Sequence, residues 1–255
     1  MPARKTILNP LRRPDGSATH SQNGYTVIGA VNGPIEVQRR DEIPDEAAIE
    51  VNVRPATGVG SPKERHIEHI LTALLRHIIL THDYPRTLIQ LTLQILSVPA
   101  THSTLPSSSS LPILPALINT AYATLLAGSI RLSTTLTAVL VAVPKRSGKG
   151  EEKIMVVDPD PEEGGSELEA VAQKGSLHVF AFDGRGEAVL VHSEGKFEIE
   201  EWEQACEAAR GVCIGISEDG ADAMEVEGEK ENMVEGLREL VKGEVEKESR
   251  WRGEG

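Results

Sequence analysis

The sequence comprises 255 residues with 39% hydrophobic side chains and a formal net charge of −13, which fits one soluble globular core. It contains no apolar run near the roughly 20 residues of a transmembrane helix and no secretory signal at its start, so we expect neither membrane insertion nor secretion. Residues 1–150 carry 15 Lys and Arg against 10 Asp and Glu, whereas residues 151–255 carry 11 against 29. A net acidic protein is a poor general nucleic-acid binder, although the basic first half could still contact a phosphate backbone.

Alternating or β-branched runs predict strands, and longer runs with helical spacing predict helices. The predicted strands, in chain order, are 25–31, 47–54, 88–96, 135–143, 154–157, 176–182 and 188–192. A turn at Gly33-Pro34 is expected to end the first of them. The predicted helices are 62–79, 115–126 and 199–216. This mixture indicates an α+β or α/β domain, followed by an acidic tail at 217–255 that is disordered or a solvated helix.

The helix at 62–79 has the best-defined start in the chain. Ser61 suits the N-cap, Pro62 suits the first helical position, and Glu64 completes a capping box. The helix at 115–126 is apolar on nearly every face, which predicts that it is buried on all sides.

Several residue groups could carry chemistry but have simpler explanations. His66 and His69 lie three residues apart, yet no third ligand follows at a matching spacing, so a solvated helix face is favoured over a metal site. Cys206 and Cys213 are too few for zinc and suit two reduced thiols in a core. The sequence contains no nucleophile elbow, no Walker A motif and no dinucleotide-binding motif.

Two polar stretches at the ends of predicted strands are candidate sites for binding or catalysis. The acidic run at 158–163 follows a predicted strand, where carboxylates could bind Mg²⁺ or act as a general acid, although its prolines equally predict an acidic turn. The polar stretch at 97–112 joins a strand to a helix, a position where helix amides often bind phosphate. It could be a phosphate site, the remains of one or a plain connector.

Several strings occur in the order typical of the ribonuclease PH family. They are RRPDGSA (12–18), NGYTVIGAVNGPIEV (23–37), AAIEVNVRP (47–55), DYPRT (83–87), LINTAYATLLAGSI (117–130) and VVDPDPEE (156–163). Residues 8–216 therefore resemble this family, and the acidic tail at 217–255 lies outside the resemblance. The resemblance implies an α+β, ribonuclease PH-like fold of the ribosomal protein S5 domain 2-like class, with two βαβα-type halves.

Within the family, these strings are most similar to a ribosomal-RNA-processing ring subunit of the eukaryotic RNA exosome. This similarity implies six related ribonuclease PH-like subunits around a central RNA channel, with S1/KH-type cap subunits and a separate hydrolytic nuclease as partners. It also implies work in ribosomal RNA maturation and RNA decay, in the nucleus and nucleolus and also in the cytoplasm. No cofactor and no membrane are expected.

Active members of the family cleave RNA from its 3′ end with phosphate as the nucleophile, which requires cations and an acid. Their Gly-Thr-Arg or Gly-Ser-Arg string corresponds here to Thr101, His102 and Ser103, which supply no guanidinium. An arginine at the start of their first long helix corresponds to Lys63, a cation without a bidentate fork.

The catalytic carboxylates of the family are also altered in this sequence. The first catalytic aspartate corresponds to Asp158, and its partner position falls at Gly164, near Glu162 and Glu163. These departures favour a non-catalytic ring subunit.

Three readings follow from the sequence. For the ring subunit, the candidate contacts to an RNA backbone are Lys63, Arg65, His66 and His69, which subunit contacts would explain equally well. An active phosphate-dependent 3′ exoribonuclease would instead use Lys63, His102, Asp158 and Glu162. An acidic adaptor that acts through its tail is the third reading.

Overall fold

The computed structural model describes residues 4–99, 110–144, 155–159, 175–215 and 232–249. Its strands are β1 (Lys5–Leu8), β2 (Gly16–Gln22), β3 (Tyr25–Glu36), β4 (Ala48–Arg54), β5 (Thr87–Ser97), β6 (Leu136–Val143), β7 (Val156–Val157), β8 (Ser176–Asp183) and β9 (Ala188–Gly195). Its α-helices are α1 (Pro62–Ile78), α2 (Leu114–Ala127), α3 (Ile199–Ile214) and α4 (Met233–Ser249). Among these helices, none combines the length and the apolar character that crossing a bilayer requires.

Two sheets organise these elements. The first has the order β1-β2-β3-β5-β4, in which β4 and β5 run parallel, and the second has the antiparallel order β7-β6-β8-β9. Helix α2 packs against strands of both sheets, and every residue from Leu114 to Leu125 is buried. The sequence of this helix has no polar face, which predicted burial on all sides. The central position of α2 confirms that prediction.

Helix α1 begins as its sequence predicts. The Ser61 side chain accepts a hydrogen bond from the Lys63 amide, and the Glu64 side chain accepts one from the Ser61 amide at 2.6 Å. One face of the helix packs against β4 and buries Ile67, Leu71, Leu74, Leu75 and Ile78. Local capping and the spacing of apolar residues therefore account for this helix.

The predicted turn at Gly33-Pro34 is wrong, because β3 continues through it to Glu36. The pairing with β5 shifts between Asn32 and Ile35, which marks an irregularity within a continuous strand. The Gly33 amide is not left unpaired there, since it donates to Asp15 Oδ2 at 2.8 Å. A proline was therefore accommodated by an interruption of the ladder and not by a chain reversal.

Strand β2 was not predicted, because its sequence GSATHSQ consists of small and polar residues. Five of these seven residues are nevertheless buried. At Gly16 the strand lies against the end of α2, where an added Cβ atom would lie only 2.2 Å from the Gly128 amide nitrogen. Strand β2 is therefore stabilised by close backbone packing and internal hydrogen bonds. It lacks the alternation of apolar and polar residues by which a strand is predicted from sequence.

Part of the acidic tail forms helix α4, and one side of this helix packs on the domain. Met233 and Val234 are buried, and Leu237 contacts the main core. These residues recur at helical spacing within an otherwise acidic stretch, so they form a narrow apolar stripe. The predicted solvated helix therefore differs from the structure on this side, while the boundary at residue 216 stays a prediction.

Candidate functional site

The ends of several elements converge at one end of the first sheet. Strand β4 runs parallel to β5, so α1 begins near the carboxyl end of β5. Thr26 pairs with Ser97, which brings the β2–β3 turn at Asn23 to the same end. Ser97, at the end of β5, therefore lies at the same end of the sheet as Asn23, which binds Asp158.

The candidate RNA contacts lie on the first two turns of α1. Lys63, Arg65, His66 and His69 are all exposed. Arg65 Nη1 lies 3.3 Å from Glu68 Oε2, so the exposed guanidinium already pairs with a largely buried carboxylate, whose Oε1 accepts from the Val53 amide. All four side chains are therefore exposed at the start of α1, and their contact with RNA stays a prediction.

The amides at the start of α1 already have an anionic partner from their own chain. Glu64 Oε2 accepts hydrogen bonds from the Ser61 amide at 2.6 Å and from the Ser61 hydroxyl at 2.5 Å. Partial burial raises the pKa of the Glu64 carboxyl, but these hydrogen bonds outweigh it and hold the pKa below its ordinary value. A phosphate bound at this helix end would therefore have to compete with Glu64.

Asp158 lies in the interior and not in an open cleft, with a side chain that is only 4% exposed. Its Oδ2 accepts from Arg4 Nε at 2.9 Å, Arg4 Nη2 at 2.5 Å and Gln22 Nε2 at 2.8 Å. Its Oδ1 accepts from Asn23 Nδ2 at 3.0 Å and from the Leu140 amide at 3.1 Å. Two carboxylate oxygens offer about four lone-pair positions, so the fold itself uses the whole acceptor capacity. This geometry supports a structural role for Asp158.

A buried polar network extends from Asp158 into the centre of the domain. Gln22 Oε1 accepts from Asn119 Nδ2 at 2.7 Å and lies 3.3 Å from His20 Nε2. Asn119 also binds both backbone groups of Ala138, accepting from its amide at 2.9 Å and donating to its carbonyl at 2.8 Å. No role was predicted for these residues from the sequence, although polar side chains within β2 and within an apolar helix were a signal of buried hydrogen bonds.

The network predicts a dependence of stability on pH through His20. Burial lowers the pKa of His20 to about 4, with smaller and mutually opposed contributions from Gln22, Arg4 and Asp158. The unfolded chain, with an ordinary histidine pKa of about 6.5, binds more protons below that pH, so we expect stability to fall as the pH drops from about 6.5 towards 4. Urea denaturation across this range measures the effect.

Variants separate this contribution from other titrations. His20→Gln is expected to flatten the profile only in part, because burial also lowers the pKa of His178 to about 4. The exposed His69→Gln variant serves as the matched control and should keep the wild-type profile. A His20→Gln profile identical to that of the wild type would contradict the assignment.

Several predicted site residues lie outside the described residues: Thr101, His102, Ser103, Glu162 and Gly164. Their roles stay predictions. Within the described ranges, no group of three or more His, Cys, Asp or Glu side chains is placed to hold a metal ion.

One family model and several curated relatives match part of the chain. The 3′ exoribonuclease family, domain 1 (RNase PH), matches residues 5–131. The chain is 35% identical over 149 residues to the exosome complex component RRP46 of Saccharomyces cerevisiae, covering 58% of this chain and 63% of that protein. It is 43% identical over 86 residues to the exosome complex component rrp46 of Schizosaccharomyces pombe, covering 34% of this chain and 38% of the relative. The matches thus span less than two thirds of each relative.

Solved structures match a larger share of the chain. The crystal structure of rice (Oryza sativa) Rrp46 superposes with a TM-score of 0.64 at 25% identity, covering 82% of this chain and 87% of that chain. A chain of the Archaeoglobus fulgidus exosome with RNA bound to the active site gives a TM-score of 0.59 at 13% identity, covering 82% and 84%. The second similarity concerns the fold alone.

Proposed function

Because the chain carries domain 1 of the 3′ exoribonuclease family, RNase PH, and has the fold of that family, we propose that it is a structural ring subunit of an RNA exosome. The expected ribonuclease PH-like fold is confirmed by the structural matches. Relatives named exosome complex components support the assignment to a ring. The chain then assembles with related subunits around a channel that carries RNA towards 3′–5′ processing and decay.

The finer parts of this proposal follow from the same resemblance. The ring would work with S1/KH-type cap subunits and a separate hydrolytic nuclease, in the nucleus and nucleolus and also in the cytoplasm. Lys63, Arg65, His66 and His69 would contact the RNA backbone, since they are exposed together at the start of α1. Contact with a neighbouring subunit is the competing role for these side chains.

The observation that best supports a non-catalytic subunit is the environment of Asp158. A general acid must donate its proton to the leaving group, and so it has to reach the substrate. Asp158 is instead buried and accepts five hydrogen bonds from the fold. The start of α1 adds to this argument, because the Glu64 carboxylate already accepts from the Ser61 amide and hydroxyl at this helix end.

The proposal is tested on the full-length chain. Affinity purification is expected to recover related ribonuclease PH-like proteins in equal amounts. When that assembly receives inorganic phosphate and RNA, the chain is expected to add no release of nucleoside diphosphates, because its sites for phosphate and acid are altered. RNA crosslinks in the assembly should map to the first turns of α1 and not to the exposed Arg40 on another part of the surface.

Other results would support the alternatives. Phosphate-dependent release of nucleoside diphosphates by the isolated chain would favour an active exoribonuclease. Recovery of unrelated proteins alone would favour the acidic adaptor. An assembly that forms without α1 crosslinks would assign these basic residues to subunit contacts.

A further inference from the structure

Helices α2 and α4 border a cavity of about 370 Å³ that the proposed function does not use. Its walls are apolar and include Leu126 of α2 with Val234, Leu237 and Val241 of α4. Cavities of about 300–1,000 Å³ with apolar walls and a few convergent polar groups are the usual form of a small-molecule site. The volume and lining therefore suit a compact apolar ligand.

A phenol hydroxyl provides a polar group inside this cavity. Tyr122 is only 4% exposed, and its hydroxyl has no hydrogen-bond partner among the described residues. Tyr122 lines the cavity, and the charge of Arg238, which lines it from α4, acts on the phenol. Burial raises the pKa of Tyr122 to about 12 against the opposing charge of Arg238, so the phenol remains a neutral donor at physiological pH.

Two cations lie along the α4 side of the cavity. Arg238 and Lys242 are both exposed, and they lie four residues apart on α4. The residues that line the cavity include both of these cations and no carboxylate, although α4 itself carries five glutamates. The positive charge that α4 carries here is exposed at the edge of an almost wholly apolar cavity, where it favours an anionic group.

We propose that this cavity binds an amphipathic monocarboxylate, with its apolar tail between α2 and α4 and its carboxylate on Arg238 and Tyr122. A guanidinium can bind a carboxylate through two parallel hydrogen bonds, and the phenol adds a third donor. If each chain carbon fills roughly the 30 Å³ of a water molecule, the volume holds a tail of about ten carbons. This inference is independent of the assignment to a ring.

Isothermal titration of the full-length protein with monomeric decanoate tests the site. We expect saturable binding of one decanoate per chain, and weaker binding of decanol, which lacks the charge. Arg238→Gln should weaken decanoate binding by about tenfold or more, because it removes a charge-assisted pair. Val241→Trp should abolish binding by filling the cavity, while Lys247→Gln, which changes a residue of α4 paired with Glu244, should leave it unchanged.

Defined outcomes would overturn the proposal. Absence of saturable decanoate binding, or equal binding by a folded Val241→Trp variant, would exclude the cavity as the site. Equal affinity for decanol and decanoate, or no effect of Arg238→Gln, would exclude recognition of the carboxylate. Binding to oleate-bearing phosphatidylcholine vesicles without any response to free decanoate would assign the two cations to a lipid surface instead.

Discussion

Replacing Asp158 with alanine is expected to lower the free energy of unfolding by about 3–5 kcal/mol, the usual cost of removing one partner of a buried ion pair. Arg4 Nη2 lies 2.5 Å from the carboxylate, and the side chain of Arg4 is only 23% exposed, so the variant leaves a largely enclosed cation without its counter-ion. Gln22, Asn23 and the Leu140 amide lose an acceptor at the same time. Urea denaturation monitored by circular dichroism measures the loss.

An exposed aspartate provides the matched control. Asp41 pairs with Arg40 at 3.2 Å, but the two side chains are 54% and 86% exposed. Asp41→Ala is therefore expected to change stability by about 0.5 kcal/mol or less. Asp158→Asn keeps the shape but directs an amide group at surrounding donors, so its loss should fall between those of the other two variants. A stable Asp158→Ala protein that lost only phosphorolysis would contradict the structural role and restore the catalytic one.

This result matters for interpreting the function, because the same residue has two explanations. From the sequence, Asp158 is a carboxylate that follows a strand, which is a common position for a catalytic acid. In the fold, its partners come from the first 23 residues of the chain and from β6. A sequence pattern cannot reveal such partners, since more than a hundred residues separate Asp158 from three of them.

Elements governed by neighbouring residues could be predicted from the sequence. Helix α1 follows from Ser61, Glu64 and an apolar stripe, and the burial of α2 follows from its uniform apolar composition. Strand β2 could not be predicted in this way, because its burial depends on α2 lying against Gly16 and on partners for His20. The packing of α4 on the domain could likewise not be predicted, because its few apolar residues indicate burial only once the core that they contact is known.

Part of the candidate site could also be predicted from neighbouring residues, and part could not. The resemblance to a family placed Lys63 at a helix start, and the structure confirms that position and exposes the side chain. No contact in the structure connects Lys63 to Asp158 within one catalytic cleft among the described residues. In the sheet, β3 and β5 separate β2 from β4, the strand that leads to α1, whereas Asp158 binds Gln22 and Asn23 at the β2 side. Lys63 and Asp158 could therefore serve one reaction only if a substrate spanned these strands.

Asn119 reveals how the edge of β6 is completed, and its replacement should have the second largest effect. Strand β7 pairs with Val141 and Ala142 only. Beyond it, Asp158 continues the ladder at Leu140, with its amide on the Leu140 carbonyl at 2.8 Å and its carboxylate on the Leu140 amide. Asn119 extends the ladder to Ala138 by binding the amide and the carbonyl of that residue. Two side chains thus take the place of a longer strand.

Asn119→Ala is expected to lower the free energy of unfolding by about 2–4 kcal/mol, because it leaves the buried Ala138 amide without an acceptor and opens a small void. The Ala138 carbonyl keeps a contact with Gln22 Nε2 at 3.3 Å, which limits the loss. Asn52→Ala, which removes an exposed hydrogen bond to Glu50, should cost about 0.5 kcal/mol or less in the same urea titration. A cost below that of the control would mean that β6 does not depend on Asn119.

Combining Asn119→Ala with Asp158→Ala tests whether the two side chains act as one edge. They hold adjacent positions of β6 and share Gln22 as a partner, so their effects are expected to be coupled. Once one replacement has frayed the edge, the other has less structure left to lose, and the combined loss should be smaller than the sum of the single losses by about 0.5–3 kcal/mol. Strict additivity would instead show that each residue stabilises the domain separately.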